Sequence, residues 1–115
     1  MFYIERIINT ALVGFGLSGK AFHAPFIQTH PGFHLRKILE RHRNESAELY
    51  PEATIVRALE DVLADEDIEL VAITTPNIYH FEMVQKCIEA GKHVIIEKPF
   101  TNTYAEAEKL IEFAY

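Results

Sequence analysis

The chain carries near its amino terminus the stretch Ala11-Leu12-Val13-Gly14-Phe15-Gly16-Leu17-Ser18-Gly19, which holds three of its five glycines. Glycine lacks a Cβ, so it permits a tight turn out of a strand and lets main-chain N–H groups approach a phosphate. A helix that begins at such a turn adds the positive end of its dipole. The spacing of Gly14, Gly16 and Gly19 therefore predicts a dinucleotide-binding turn, with Leu17 and Ser18 also beside the cofactor.

The same residues nearly satisfy a second motif, the nucleoside-triphosphate loop G-x-x-x-x-G-K-[ST], because Lys20 follows Gly19. That loop needs a hydroxyl at the next position to hold Mg²⁺, and this chain has Ala21 there. The later apolar run also leads into Thr74 and Thr75 rather than into a metal-binding Asp. We therefore interpret the glycines as a dinucleotide fingerprint, with a glycine-rich turn of purely structural use as the alternative.

Apolar runs with strand-like composition alternate with helical patterns along the chain. The predicted strands are Thr10–Val13, Leu35–Leu39, Thr54–Val56, Leu70–Thr74 and Val94–Ile96. Most are apolar on both faces, which is typical of a parallel sheet covered by helices on each side. The sequence predicts an α/β fold, a doubly wound parallel sheet of the Rossmann type, in one domain spanning residues 1–115.

Three helices are predicted with different clarity. The first is interrupted by Pro25, which either kinks it or starts a second short helix. The clearest runs over Ile78–Ala90, capped by Asn77 and ended by Gly91 in a left-handed conformation. The last spans Thr103–Tyr115 and begins with a pattern that resembles a capping box.

Composition narrows the functional classes. The formal net charge of −6 argues against a nucleic-acid partner. The apolar runs are shorter than a membrane span, and Glu5 and Arg6 interrupt the amino terminus too early for a secretory signal. The lone Cys87 fits core packing in a reducing compartment. We expect a cytoplasmic protein without a membrane partner. Homo-oligomerisation is left open.

Polar residues follow the predicted strands at the edge where open α/β sheets bind ligands. Glu40 ends the second strand about twenty residues after the fingerprint, where a carboxylate accepts from the ribose hydroxyls. Thr75-Pro76-Asn77 and His80 follow the fourth strand, and Glu97-Lys98 follow the fifth. A neutral His80 would donate to a ligand hydroxyl; the alternative is a histidine bonded to nearby backbone. The remaining histidines lack metal-ligand spacing, so no metal is predicted.

The choice between NAD and NADP depends on two adjacent residues. Glu40 favours NAD, because a carboxylate at the ribose repels a 2′-phosphate. Arg41 favours the opposite, since its guanidinium pairs with that phosphate or lies against the adenine face. The sequence predicts NAD or NADP as cofactor, with NAD preferred.

Together these segments resemble the glucose-fructose oxidoreductase, inositol dehydrogenase and MocA family. The resemblance rests on Gly14–Gly19, Thr75-Pro76-Asn77 with His80, and Gly91-Lys92-His93-Val94 leading to Glu97-Lys98-Pro99. It implies an NAD(P)-dependent dehydrogenase of a sugar, polyol or related hydroxy compound. It also implies that Lys98 holds the nicotinamide ribose and the substrate hydroxyl, and that His80 and Glu97 line the site. Members continue into a second domain that supplies substrate contacts, so residues 1–115 correspond to the cofactor half.

Two rival hypotheses belong to other functional classes. One is a non-catalytic module that senses the nicotinamide pool or assembles with other chains. The other is a protein-interaction domain of Rossmann shape that binds no cofactor. Activity separates the first from an enzyme, and cofactor binding separates the second from both.

Overall fold

A computed structural model describes residues 6–16, 19–75, 79–96, 101 and 103–114 of the chain. Within these residues five parallel strands form one sheet in the order β3-β2-β1-β4-β5. The strands are β1 (Ile8–Val13), β2 (Phe33–Leu39), β3 (Thr54–Val56), β4 (Leu70–Ile73) and β5 (His93–Ile96). The helices are α1 (Ala24–Thr29), α2 (Ser46–Leu49), α3 (Leu59–Leu63), α4 (His80–Glu89) and α5 (Tyr104–Ala114).

The strand order reverses direction between β1 and β4. From β1 the chain moves outward to β2 and β3, then crosses back to β4 on the other side of β1. This reversal opens a crevice at the carboxyl ends of β1 and β4, which is where doubly wound sheets bind dinucleotides. The predicted doubly wound Rossmann architecture is confirmed.

Both faces of the sheet are covered by helices. Ala11, Val13, Val71 and Ile73 face a core completed by α3, α4 and α5. Leu12, Ile38 and Ala72 face a second core completed by α1. The period-two alternation of a strand sends neighbouring apolar residues into opposite cores, which explains why the strands are apolar on both sides.

Pro25 is accommodated by a change of helix type. A π-helical turn covers Gly19–His23 directly after the fingerprint, and α1 follows with Pro25 in its first turn. Proline donates no N–H and clashes with the carbonyl four residues before it, so a regular α-helical register cannot continue through this point. Of the two alternatives for Pro25, the start of a second helix is the one observed.

Several predicted boundaries are corrected. β1 and β2 begin earlier than predicted, because Ile8 pairs with Phe33 and Asn9 pairs with His34. A search for apolar runs stops at the polar residues Asn9 and His34. β4 ends at Ile73, one residue before the prediction, and α4 begins at His80 rather than Ile78. The predicted cap Asn77 lies outside the described residues. Gly91 ends α4 with a φ of 79°, as predicted.

Cys87 on α4 and Leu110 on α5 are both buried. Cys87 is fully buried in the core, as predicted, and burial raises the pKa of its thiol to about 11. Leu110 on α5 is buried as well, whereas its neighbour Ile111 is 52% exposed. Thr103 accepts a hydrogen bond from the Glu106 amide, which is the Thr103 contact of the predicted capping box. Among the described residues, none of the helices has the length and apolar character needed to cross a bilayer.

Candidate functional site: a cavity at the carboxyl ends of the strands

A cavity of about 770 Å³ lies at the carboxyl edge of the sheet. Four strands contribute to it, through residues at or after their last positions. Its walls comprise Gly14–Gly16 after β1, Leu39–Arg43 and Glu45 after β2, Arg57–Glu60 after β3, and Thr75, Tyr79, Glu82, Met83 and Lys86 after β4. Five of the predicted cofactor residues meet here: Gly14, Gly16, Glu40, Arg41 and Thr75.

Gly14 makes the turn that closes β1. Its φ of 101° lies in the region that residues with a Cβ rarely adopt. A Cβ at this position would also stand 2.9 Å from the Thr74 hydroxyl oxygen. The turn therefore favours glycine both for its backbone conformation and for its close approach to Thr74.

Gly16 and Gly19 serve opposite steric needs. A Cβ on Gly19 would stand 2.5 Å from the Gly14 carbonyl oxygen, so the absence of a side chain lets the helical segment pack against the end of β1. A Cβ on Gly16 would meet nothing within 4 Å, because Gly16 borders the open cavity. The three glycines thus match the turn, the phosphate approach and the close packing that a dinucleotide fingerprint requires.

Thr74 and Thr75 tie the end of β4 to the fingerprint. The Thr74 hydroxyl lies 3.1 Å from the Val13 carbonyl and 3.0 Å from the Gly14 carbonyl. The Thr75 side chain reaches the Met83 sulfur on α4 at 3.4 Å and lines the cavity. Thr74 was not among the predicted site residues, although its position at a strand end was a usable signal.

His80 lies behind the turn that follows β4. Its side chain is 1% exposed, and Nε2 lies 2.8 Å from the Thr75 carbonyl oxygen. A carbonyl only accepts, so Nε2 carries the proton of this hydrogen bond. Of the two interpretations offered by the sequence, the geometry matches a histidine bonded to nearby backbone, and His80 is absent from the cavity wall.

Glu40 directs its carboxylate toward the start of α2. Its Oε1 accepts from the Glu45 amide at 3.1 Å, and its Oε2 accepts from the Ser46 amide at 3.0 Å and the Ser46 hydroxyl at 2.6 Å. The residue is 6% exposed. The carboxylate that the sequence assigns to the ribose is thus bonded to the chain itself, with acceptor capacity left on Oε1.

Arg41 and Tyr79 lie against each other in the lining of the cavity. The Arg41 guanidinium lies 5.5 Å from the centre of the Tyr79 ring, within range of a cation–π contact. Both residues are exposed. A flat cation and an aromatic ring at the carboxyl ends of β2 and β4 form a surface suited to an adenine ring. Tyr79 was missed because an isolated aromatic residue before a helix carries no pattern of its own.

Six of the predicted site residues lie outside the described residues: Leu17, Ser18, Pro76, Asn77, Glu97 and Lys98. Their roles stay predictions. Arg57 was missed by the sequence analysis; it follows β3 and lines the cavity. Its signal was weak because a single arginine after a three-residue strand is common on protein surfaces.

Comparison with known proteins agrees with this geometry. Residues 8–115 match the model of the oxidoreductase family with an NAD-binding Rossmann fold, GFO_IDH_MocA. The scyllo-inositol 2-dehydrogenase (NADP(+)) IolW of Bacillus subtilis is 41% identical over 103 residues, which are 90% of this chain and 29% of that protein.

Two solved structures share the fold at high similarity. D-galactose-1-dehydrogenase from Rhizobium etli has a TM-score of 0.86 at 30% identity, covering 99% of this chain and 36% of that one. GenD2 from gentamicin A biosynthesis, solved in complex with NAD, has a TM-score of 0.91 at 27% identity, covering 98% of this chain and 33% of its own. The chain therefore spans about a third of the length of these proteins.

Proposed function

The chain belongs to the GFO_IDH_MocA oxidoreductase family, and we propose that it holds a nicotinamide dinucleotide for hydride transfer to or from a sugar, polyol or related hydroxy compound. One observation carries the proposal: Gly16 borders an open cavity while Gly14 and Gly19 close the turn beneath it. The named relatives support the substrate class, since they act on scyllo-inositol and D-galactose. The cofactor supplies the hydride acceptor or donor.

The residues of the chain fit such a group. The main chain at Gly16 receives the diphosphate, because a Cβ at this position would meet no atom within 4 Å among the described residues outside its chain neighbours. Arg41 and Tyr79 receive the adenine, and the loop after β2 receives the adenosine ribose. Leu17 and Ser18 at the phosphates, and Pro76 and Asn77 after Thr75 in the sequence, are cofactor residues in the same proposal, although they lie outside the described residues.

His80 and Thr74 support these contacts from behind. The hydrogen bond from His80 to the Thr75 carbonyl fixes the turn after β4, and the Thr74 hydroxyl fixes the end of β1. Neither residue needs to touch the cofactor to affect its affinity. We therefore propose a supporting role for His80 in place of direct cofactor contact.

Lys98 is the proposed catalytic residue, with Glu97 beside it in the site. Lys98 follows β5 in the sequence and lies outside the described residues. Its ammonium would donate to the substrate hydroxyl, which would orient the carbon that exchanges the hydride and stabilise charge on the oxygen. In a protein of the same length as the relatives, Lys98→Ala should slow turnover at least 100-fold and leave the cofactor Kd within about tenfold. Lys109→Ala is the matched control, because Lys109 is an exposed lysine on α5.

The activity assay also tests the whole proposal. Unchanged turnover in Lys98→Ala contradicts the role of this lysine. If the longer protein binds cofactor but oxidises no sugar or polyol with either nucleotide, the non-catalytic sensing or assembly module is favoured instead. If it binds neither nucleotide, the dinucleotide site itself is wrong.

The preferred nucleotide is a finer question. Glu40 predicts NAD, but its carboxylate is bonded to Glu45 and Ser46, whereas exposed Arg41 and Arg43 line the cavity. A guanidinium there pairs with a 2′-phosphate. IolW, the inositol dehydrogenase similar to this chain, is named for NADP(+). These observations lead us to propose NADP as the tighter ligand, against the preference for NAD expected from the sequence.

Calorimetry with both nucleotides tests this preference. Arg41→Ala should weaken NADP about tenfold and NAD by less than threefold, because both nucleotides lose the contact with the adenine but only NADP also loses a partner of its phosphate. Glu40→Gln separates the two views of the carboxylate. Selective loss of NAD affinity in this variant would restore the ribose role of Glu40 and the preference for NAD.

A further inference from the structure

The loop after β2 is shaped by side chains rather than by regular secondary structure. We name residues 40–45 the ribose loop. At its far end the Glu40 carboxylate accepts from the Glu45 and Ser46 amides. The segment therefore folds back on itself around one buried carboxylate.

Arg57 holds the rest of the ribose loop from the neighbouring strand end. One terminal nitrogen of its guanidinium donates to the Glu40 carbonyl at 2.9 Å and to the Arg43 carbonyl at 2.6 Å. The other donates to the Asn44 side-chain oxygen. Three acceptors from a five-residue span thus meet one planar, fixed fork of donors.

The hydrogen bonds from Arg57 do not involve the basic side chains of the ribose loop, and these side chains line the cavity. Arg41, His42 and Arg43 are exposed and line its wall, while the carbonyls of Glu40 and Arg43 are occupied by Arg57. A loop that is ordered before binding loses less conformational entropy when the ligand arrives. Removal of the fork would leave the basic side chains without a fixed backbone.

The geometry points to Arg57 as a positioning residue that holds the ribose loop in the shape that meets the adenosine ribose and its 2′ substituent. The inference rests on the proposed dinucleotide function. Arg57 acts here through its donors and their fixed directions, because all of its hydrogen bonds named above end on the loop. A role through positive charge alone would be served equally by lysine.

The test compares four variants by calorimetry with NAD and with NADP. Arg57→Ala should weaken the preferred nucleotide about tenfold and change the ratio of the two Kd values at least threefold. Arg57→Lys, which keeps the charge without the fork, should recover less than half of that loss on a logarithmic scale. Addition of 10 mM guanidinium should partly restore Arg57→Ala, whereas 10 mM NaCl should not.

Arg36→Ala is the matched control, because this arginine lies on β2 and pairs with Asp65 rather than with the ribose loop. It should leave both Kd values within twofold. Asn44→Ala removes one acceptor and keeps Arg57, so it tests the inference even if Arg57→Ala does not fold. It should weaken binding about threefold.

The outcomes separate the inference from the proposed function. If the wild-type chain binds neither nucleotide, the proposed function fails. If the wild type binds, but folded Arg57→Ala or Asn44→Ala keeps both affinities and their ratio, only the positioning role is overturned. Arg57→Lys equal to wild type would also overturn it, since charge alone would then suffice.

Discussion

Two regions of the chain use a carboxylate and basic side chains, and they use them differently. In the ribose loop, Glu40 and Arg57 bond neutral backbone and side-chain groups of one segment. In the second region, which we name the Asp65 cluster, Arg36 donates to the Asp65 carboxylate at 2.7 Å and Lys37 lies 3.2 Å from the same oxygen. The first arrangement shapes a loop beside a cavity, whereas the second compensates charge between β2 and the segment that leads into β4.

Lys92 completes the Asp65 cluster from the start of β5. Its ammonium donates to the Asp65 carbonyl at 2.7 Å and to the Ile68 carbonyl at 2.8 Å, and the residue is buried. The cluster thus joins three strand-bearing segments at a place remote from the carboxyl edge. Charge content therefore does not identify a binding site. The groups to which the charged side chains are bonded distinguish the two regions.

The largest expected effect comes from Gly16→Val, at the cavity that the ribose loop also lines. A branched side chain at this open position fills the space intended for the diphosphate, so cofactor affinity should fall at least 100-fold. The melting temperature should change by no more than about 3 °C, because a Cβ at this position meets nothing within 4 Å. Calorimetry and thermal unfolding measure both quantities. Retained affinity would contradict the fingerprint assignment.

Gly19→Ala should affect both stability and cofactor binding, because this glycine allows close packing and belongs to the fingerprint turn. Its new Cβ would collide with the Gly14 carbonyl, which is backbone and cannot rotate away. We expect the free energy of unfolding to fall by about 2 to 3 kcal/mol, together with a loss of affinity. Chemical denaturation measures the first effect. Stability equal to the wild type would show that the helical segment shifts freely, and the close-packing role would fail.

His80→Phe tests the support behind the cavity. The phenyl ring keeps most of the buried volume but removes the hydrogen bond that His80 donates to the Thr75 carbonyl. The free energy of unfolding should therefore fall by about 1 to 3 kcal/mol. Cofactor affinity should fall by about threefold, since the turn after β4 loosens without losing a ligand contact. A loss of affinity above 100-fold with full stability would instead support direct contact.

The smallest expected effect concerns the Asp65 cluster and its pH dependence. The hydrogen bond from Arg36, aided by the Asp67 amide and Lys37, lowers the pKa of Asp65 from 3.8 to about 2. A depressed pKa in the folded state stabilises the fold above about pH 4, and this stabilisation is lost as the pH falls toward 2. Asp65→Asn should therefore lower the unfolding free energy at pH 7 by about 1 to 2 kcal/mol.

The same variant should leave cofactor affinity within twofold, which completes the contrast with Gly16→Val. Denaturant titrations from pH 2 to pH 7 measure its stability. If the variant keeps the pH dependence of the wild type between pH 4 and pH 2, another carboxylate carries it. If it loses cofactor affinity, the separation of the two regions is wrong.

The amino-acid sequence by itself determined the sheet, its fingerprint turn and the family. The strands are short apolar runs, and glycine spacing is a local requirement of one turn, so both are legible without knowledge of distant contacts. Even the buried Cys87 and the left-handed Gly91 followed from local patterns. The pairing of polar Asn9 and His34 at the strand starts did not, because hydrogen bonding in a ladder is indifferent to side-chain polarity.

Only the tertiary structure decided what the polar residues at the carboxyl edge bond to. Glu40 stood where a ribose ligand is expected, yet its carboxylate is bonded to Glu45 and Ser46, and His80 is bonded to Thr75. Arg57 acquired a role because β3 lies next to β2 in the sheet and brings its guanidinium to the ribose loop. A side chain's partners depend on which strand ends meet in space, and sequence position alone does not specify that meeting.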